Sequence, residues 1–121
     1  MSVIRVDNFG PSAGGTTYSA RGIAKAWVNF NGTGTIAARD SENVSSLTDN
    51  GTGTYVVNLT NAFNATDHVD TGSTANGFCL TNNNGSPTAS SASTVLVFSL
   101  NTGGGAFDSA FICVTAHGDL A

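Results

Sequence analysis

The sequence predicts an all-β domain, a small antiparallel β-sandwich of jelly-roll-like kind, on three observations. Four Asn-Gly pairs punctuate the 121 residues: Asn31-Gly32, Asn50-Gly51, Asn76-Gly77 and Asn84-Gly85. Asn-Gly readily takes positive φ at both central turn positions and is the strongest short-range hairpin signal. The segments between these pairs alternate apolar and polar residues and favour β-branched and aromatic side chains, as half-buried strands do. No segment carries a sustained apolar stripe of helical period. A chain of this length forms one domain and holds a real core without metal or disulfide staples.

The elements follow in order. Val3 to Val6 reads as a short β-prone strand, and the loop after it, Asn8 to Gly15, is rich in Gly and Ser. Residues 1–20 are therefore expected to be an attachment arm, carried by Val3, Ile4, Arg5 and Val6, ahead of one domain over residues 21–121. Alternation places strands at Ile23–Phe30, Thr35–Arg39, Val44–Thr48 and Thr54–Thr60, the last with Tyr55, Val57 and Leu59 on one face. Asn61 to Asn76 is polar and reads as a connection, followed by strands at Gly77–Thr81, Thr94–Leu100 and Ala110–His117. The loops Thr81 to Ser93 and Asn101 to Asp108 lack apolar anchors. They are expected to stand out as recognition tips, with Asn82, Asn83, Asn84, Asn101 and Asp108 as contact residues.

Two strands are apolar on both faces. Val95 and Val97 oppose Leu96, Phe98 and Leu100, while Phe111 and Cys113 oppose Ala110, Ile112, Val114 and Ala116. One face fills a sandwich core; the other needs a partner subunit. Trp27, Phe98, Leu100, Phe111 and Ile112 are the expected interface or packing residues.

Composition narrows the function. Charged residues make up 10% of the chain, against ~25% in ordinary soluble domains, and polarity comes from 13 Ser, 16 Thr and 13 Asn. With a net charge of −4 and only Arg5, Arg21, Lys25 and Arg39 as basic residues, nucleic acid is not the expected partner. No apolar run approaches the ~18 residues of a membrane span, and the start of the chain is not a signal peptide, so neither membrane insertion nor signal-peptide secretion is expected.

The candidate chemical sites are sparse. Asp49 to Gly53 lacks the alternating acidic ligands of a calcium loop and reads as a hairpin turn. Asp67, His68 and Asp70 group three potential metal ligands with no further one near in sequence, so a solvated loop is the reading. His117 with Asp119 lacks a nucleophile at a strained turn, and Gly103 to Gly105 lacks the helix of a phosphate loop. Cys79 and Cys113 lie in apolar runs and read as buried thiols, with a single disulfide as the other possibility. Neither enzyme chemistry, metal nor cofactor is expected. Six glycosylation sequons, at Asn31, Asn43, Asn50, Asn58, Asn64 and Asn84, arise from a composition so rich in Asn, Ser and Thr.

Residues 24–63, AKAWVNFNGTGTIAARDSENVSSLTDNGTGTYVVNLTNAF, resemble a block found in short fibre-type structural proteins of tailed phages, common in cyanophages and related marine phages. The opening Met1 to Asp7 and the closing Phe111-Ile112-Cys113-Val114 are similar to the first and last strands of such proteins. This sequence departs from that pattern at Glu42, where an aromatic is common, and at Thr54, where an Asp is common. The resemblance implies a virion component without catalytic chemistry: a homotrimer that contacts other phage structural proteins and a host surface glycan or protein. It makes Trp27 a scaffold residue packed inside or between subunits. Three readings follow, namely a fibre or knob module, a capsid decoration protein, and a small carbohydrate-active enzyme. A chain of 121 residues is not expected to hold both attachment domain and shaft, which brings decoration near parity, while the resemblance keeps the fibre reading ahead. The absence of paired carboxylates disfavours the enzyme.

Overall fold

Eight strands build the domain and a two-stranded ribbon precedes it. The computed structural model describes residues 2–81 and 90–121. Among them the ribbon is β1 (Asn8–Phe9) with β2 (Tyr18–Ser19), followed by a 3-10 turn at Ala20–Gly22. The domain strands are β3 (Ala26–Asn31), β4 (Ala37–Glu42), β5 (Val44–Asp49), β6 (Thr54–Leu59), β7 (Val69–Thr74), β8 (Phe78–Thr81), β9 (Thr94–Leu100) and β10 (Ile112–His117). They form two four-stranded antiparallel sheets, ordered β4-β3-β10-β7 and β5-β6-β9-β8. The β-sandwich architecture is as the sequence predicts. Its winding departs from a jelly roll, in which the chain changes sheet at nearly every turn: the pairs β3–β4, β5–β6 and β8–β9 each stay within one sheet.

The core lies between the sheets and is built by strict alternation. Ala26, Val28 and Phe30 of β3, Tyr55, Val57 and Leu59 of β6, Val95 and Val97 of β9, and Ile112, Val114 and Ala116 of β10 are all buried. Phe30 and Tyr55 meet edge to face with ring centroids 5.3 Å apart, a geometry worth about 0.5–1.5 kcal/mol beyond burial. Ile112 is wholly enclosed, so of the two roles expected for it, interface or packing, the structure shows packing in the core.

The chain passes between the sheets four times among the described strands, twice through tight corners. Asn43 sits alone between β4 and β5 with φ 57°, a left-handed conformation that Asn tolerates because its side chain bonds locally. Its Oδ1 accepts from the Asn61 backbone N–H at 2.8 Å and its Nδ2 donates to the Asn61 carbonyl at 3.0 Å. Asn76-Gly77 makes the other corner, between β7 and β8 in different sheets. The hairpin expected there is thus a crossing.

Asn31-Gly32 also differs from a simple turn. Gly32 is buried, and a Cβ there would stand 2.6 Å from the Tyr55 hydroxyl and 2.8 Å from Ile112 Cδ1. Close approach, not turn φ, demands the glycine. The chain bends just after it, where Asn31 Oδ1 accepts from the Thr33 N–H at 3.2 Å.

Val3 to Val6 forms no strand; these residues are exposed and unpaired in any sheet. Conversely, β7 lies inside the stretch read as a connection. Its inward positions are Asp70, Gly72 and Thr74, so it shows no apolar alternation. Gly72 is required because a Cβ would lie 2.6 Å from Cys79 Sγ, which fills that space.

Candidate functional site

Alternation that points one set of side chains inward points the other set out, and the two outer faces differ. On the second sheet the register sets Phe78 opposite Leu100, Leu80 opposite Phe98, and Val56 opposite Leu96. Phe78 is 56% exposed and Leu80 47%, Phe98 and Leu100 are half-buried, and Leu96 is closed off. This is a contiguous apolar face on β6, β9 and β8. It carries Phe98 and Leu100, two of the expected interface residues.

On the first sheet the outward rows are polar. One row runs Glu42, Trp27, Thr115, Thr71 across β4, β3, β10 and β7; the next runs Asp40, Asn29, Cys113, Ser73. Trp27 is half-buried, in an inner strand. Thr71 and Thr115 share a hydroxyl–hydroxyl bond of 2.8 Å. A groove of about 220 Å³ runs over β7 and β10, lined by Thr71, Gly72, Ser73, Cys113 and Thr115. The register shifts where β3 meets β4, leaving Arg39 as the extra residue of a bulge, and bulges re-aim side chains. Arg39 is turned over the Phe111 ring at 4.1 Å, and it donates to the Ala110 carbonyl at 2.7 Å and to Asn29 Oδ1 at 3.3 Å. Phe111, 51% exposed, thus ends this face under a guanidinium.

The arm lies apart from both faces. Val3, Ile4 and Val6 are 69%, 88% and 54% exposed, and the ribbon behind them is joined by a Phe9–Tyr18 ring pair at 6.3 Å. Between ribbon and domain is a cavity of about 550 Å³ whose lining includes Asp7, Arg21, Lys25 and Asp119. In it Arg21 forms a two-pronged pair with Asp119, and Lys25 Nζ donates to the Ala20 carbonyl at 2.7 Å.

The residues singled out for chemistry serve structure. His68 is buried and stacked on Phe63 at 4.5 Å, with Nδ1 2.8 Å from Asp70 Oδ1 and Nε2 2.9 Å from the Ser91 carbonyl. Both ring nitrogens are occupied, and Asp67 stays exposed away from them. Among the described residues no three His, Cys, Asp or Glu converge as metal ligands. Cys79 faces the space between the sheets beside Gly72, whereas Cys113 faces outward; both are free thiols. Burial, and secondarily Cys113, pushes the Cys79 thiol up to about 11.

Asp108 is a correction. It is half-buried, not a recognition tip: its Oδ1 accepts from the Tyr55 hydroxyl and from the Gly53 N–H, each at 2.7 Å. The Tyr55 hydroxyl, followed by the Gly53 amide, holds the Asp108 carboxyl below its usual range. Burial, then Asp108, raises the Tyr55 hydroxyl above its ordinary value. Asn101 is exposed but is spent on its own loop, with Oδ1 accepting from the Gly103 and Gly105 N–H groups at 2.9 and 3.0 Å. Asn82, Asn83 and Asn84 lie outside the described residues.

Sequence reasoning missed Asp40, Glu42, Thr71 and Thr115 as neighbours of Trp27. The signal was period-2 alternation from Trp27 itself, but only the strand order brings four separate segments to one row. Comparison with protein-family models, with characterised proteins and with solved structures finds no match.

Proposed function

We propose that this chain is a non-enzymatic structural module of a phage virion, of the fibre or knob kind, assembled as a homotrimer and displayed on the particle. The apolar outer face of the second sheet is the observation that carries it. Phe78, Leu80, Phe98 and Leu100 form a patch that a lone sandwich leaves to solvent, and such patches mark association sites. The resemblance of residues 24–63 to fibre-type phage proteins supplies the particle. The sandwich serves as the scaffold, residues 1–20 as the attachment arm to other phage structural proteins, and the outward surfaces contact the host. Light scattering over a dilution series tests the assembly. A trimer is expected; a particle of 12.2 kDa at micromolar concentration overturns it. Labelling of intact virions then locates the chain.

Capsid decoration is the second reading, favoured by the arm. Val3, Ile4 and Val6 are apolar residues left mostly exposed by their own domain, as suits a clamp onto a neighbouring subunit by strand addition. Labelling on the head instead of the tail selects this reading. Deleting residues 2–18 leaves a folded domain that no longer enters particles under either reading.

A further inference from the structure

We propose that the outer face of the first sheet is a saccharide-binding platform, with the Trp27 indole as the stacking surface and a neutral pyranose as the ligand. A pyranose presents a weakly electropositive C–H face and a rim of hydroxyls. Its complement is one flat π-surface framed by hydrogen-bonding side chains. The first sheet provides this. Trp27 stands in an inner strand with Thr115 directly opposite on one side and Glu42 on the other. Asn29 and Asp40 occupy the next row, two residues along each strand. The groove of about 220 Å³ lies on the neighbouring strands β10 and β7, beginning at Thr115, the register partner of Trp27, and its Thr71, Ser73 and Thr115 hydroxyls can donate and accept. That volume falls below the ~300–1,000 Å³ of drug-sized pockets and suits a single sugar ring, the rest of a chain lying across the flat sheet.

Charge selects the ligand class. Asp40 and Glu42 are exposed, and carboxylates accept strong, charge-assisted bonds from sugar hydroxyls while repelling sialic, uronic and phosphorylated sugars. Two cations border the face, Arg39 at its Phe111 end, where it donates to Asn29 and Ala110, and Lys25, which donates to the Ala20 carbonyl, whereas Glu42 stands directly opposite Trp27. A second copy of the chain is the poorer occupant. Interface centres are depleted in Asp, Glu and Ser, which this face carries, and the apolar face of the second sheet is the one suited to self-association. The inference rests on the displayed-module reading only for where the face points on a particle; the binding belongs to the isolated chain.

Trp27 is the chain's only tryptophan, so its fluorescence reports the site directly. Purified protein is titrated with neutral oligosaccharides (glucose, galactose, mannose and N-acetylglucosamine series) and with sialylated and sulfated ones, with light scattering on the same samples. At least one neutral series is expected to shift Trp27 emission saturably, and the anionic series is not. Asp40→Asn and Glu42→Gln, at exposed positions where the fold does not depend on the side chain, are each expected to weaken binding about tenfold, the loss of one charge-assisted hydrogen bond. Binding of the effective series, followed by calorimetry, is expected to vanish in Trp27→Ala. The proposal is overturned if no neutral series responds up to about 10 mM, a Kd too weak to be specific. It is equally overturned if anionic glycans bind as well, or if Trp27 emission changes only as the assembly dissociates. A 12.2 kDa species that still binds sugar instead removes the trimer and keeps the platform.

Discussion

On the second sheet the outward positions of β8 and β9 read Phe78, Leu80, Leu96, Phe98 and Leu100; on the first, those of β3 and β10 read Trp27, Asn29, Cys113 and Thr115. The inward positions of the same strands are alike, all small or branched apolar groups except Phe30, Cys79, Thr81 and Ser99. One pleat therefore answers two demands at once. The shared interior requires apolar residues at every second position, and the alternate positions are released to carry whatever the environment outside each sheet rewards. Where that environment is another apolar surface, the strand becomes apolar throughout. Where it is water or a hydrated ligand, Asn, Thr and Asp take over around a single aromatic.

Adjacent residues of β6 give the largest contrast. Tyr55 faces in and is wholly buried, while Val56 faces out. Tyr55→Ala is expected to lose about 3–5 kcal/mol, as large-to-small core changes do, and Val56→Ala about 1 kcal/mol or less; denaturant unfolding reads both. Equal losses would erase the distinction between the faces.

Asp108 comes next, because it ties the end of the β9–β10 connection to β6. Asp108→Ala leaves the Tyr55 hydroxyl and the Gly53 N–H without that acceptor and is expected to cost about 1–3 kcal/mol. The pH dependence has a definite sign. The folded carboxyl titrates below its unfolded value of ~3.9, so its contribution is complete above that pH and is lost as acid carries the pH down through the folded value. Tyr55 acts on the alkaline side: its raised folded value makes stability fall as pH climbs past ~10. Thermal unfolding of Asp108→Asn should lose part of the acid-side slope.

If the proposed homotrimer forms through the second sheet, Leu80→Glu with Phe98→Glu is expected to leave 12.2 kDa monomers while changing monomer stability by about 1 kcal/mol or less. Thr115→Glu on the other sheet should leave the assembly intact, by light scattering. If both sheets behave alike, the division of labour between them fails. The smallest effect is a difference in rate. Thiol labelling at pH 8 should modify outward Cys113 first and inward Cys79 slowly, because only thiolate reacts and Cys79 is pushed up to about 11.

What the sequence made legible was whatever repeats every two residues. Thr94–Leu100 is bounded as the alternation indicates, and Tyr55, Val57 and Leu59 share the buried face expected of them. β7 escaped because, as an edge strand, it packs backbone and Cys79 where an apolar residue would stand. Ile112 and Phe111 fall together as interface or packing residues because a strand apolar on both faces does not say which face is the interior. Asp108 read as a loop tip since a hydrogen bond across 53 residues to Tyr55 leaves no local trace. The Trp27 rows were hidden for the same reason, being assembled from four distant segments.

The pairing of β3 with β10 sets Ala26 against Ala116 and Phe30 against Ile112, so the first and last strands of the sandwich are neighbours in one sheet. Until the final strand arrives, the first sheet is split, with β4-β3 on one side and β7 on the other. Non-local closure of this kind is slow, on the millisecond-to-second scale of β-sandwiches, and on a ribosome it waits for the last six-residue strand to emerge. During that interval β3 offers an unpaired edge facing an apolar half-core. At high local concentration the β10 of another nascent chain can fill the same gap, so exchanged dimers are the by-product expected when this protein is made too fast.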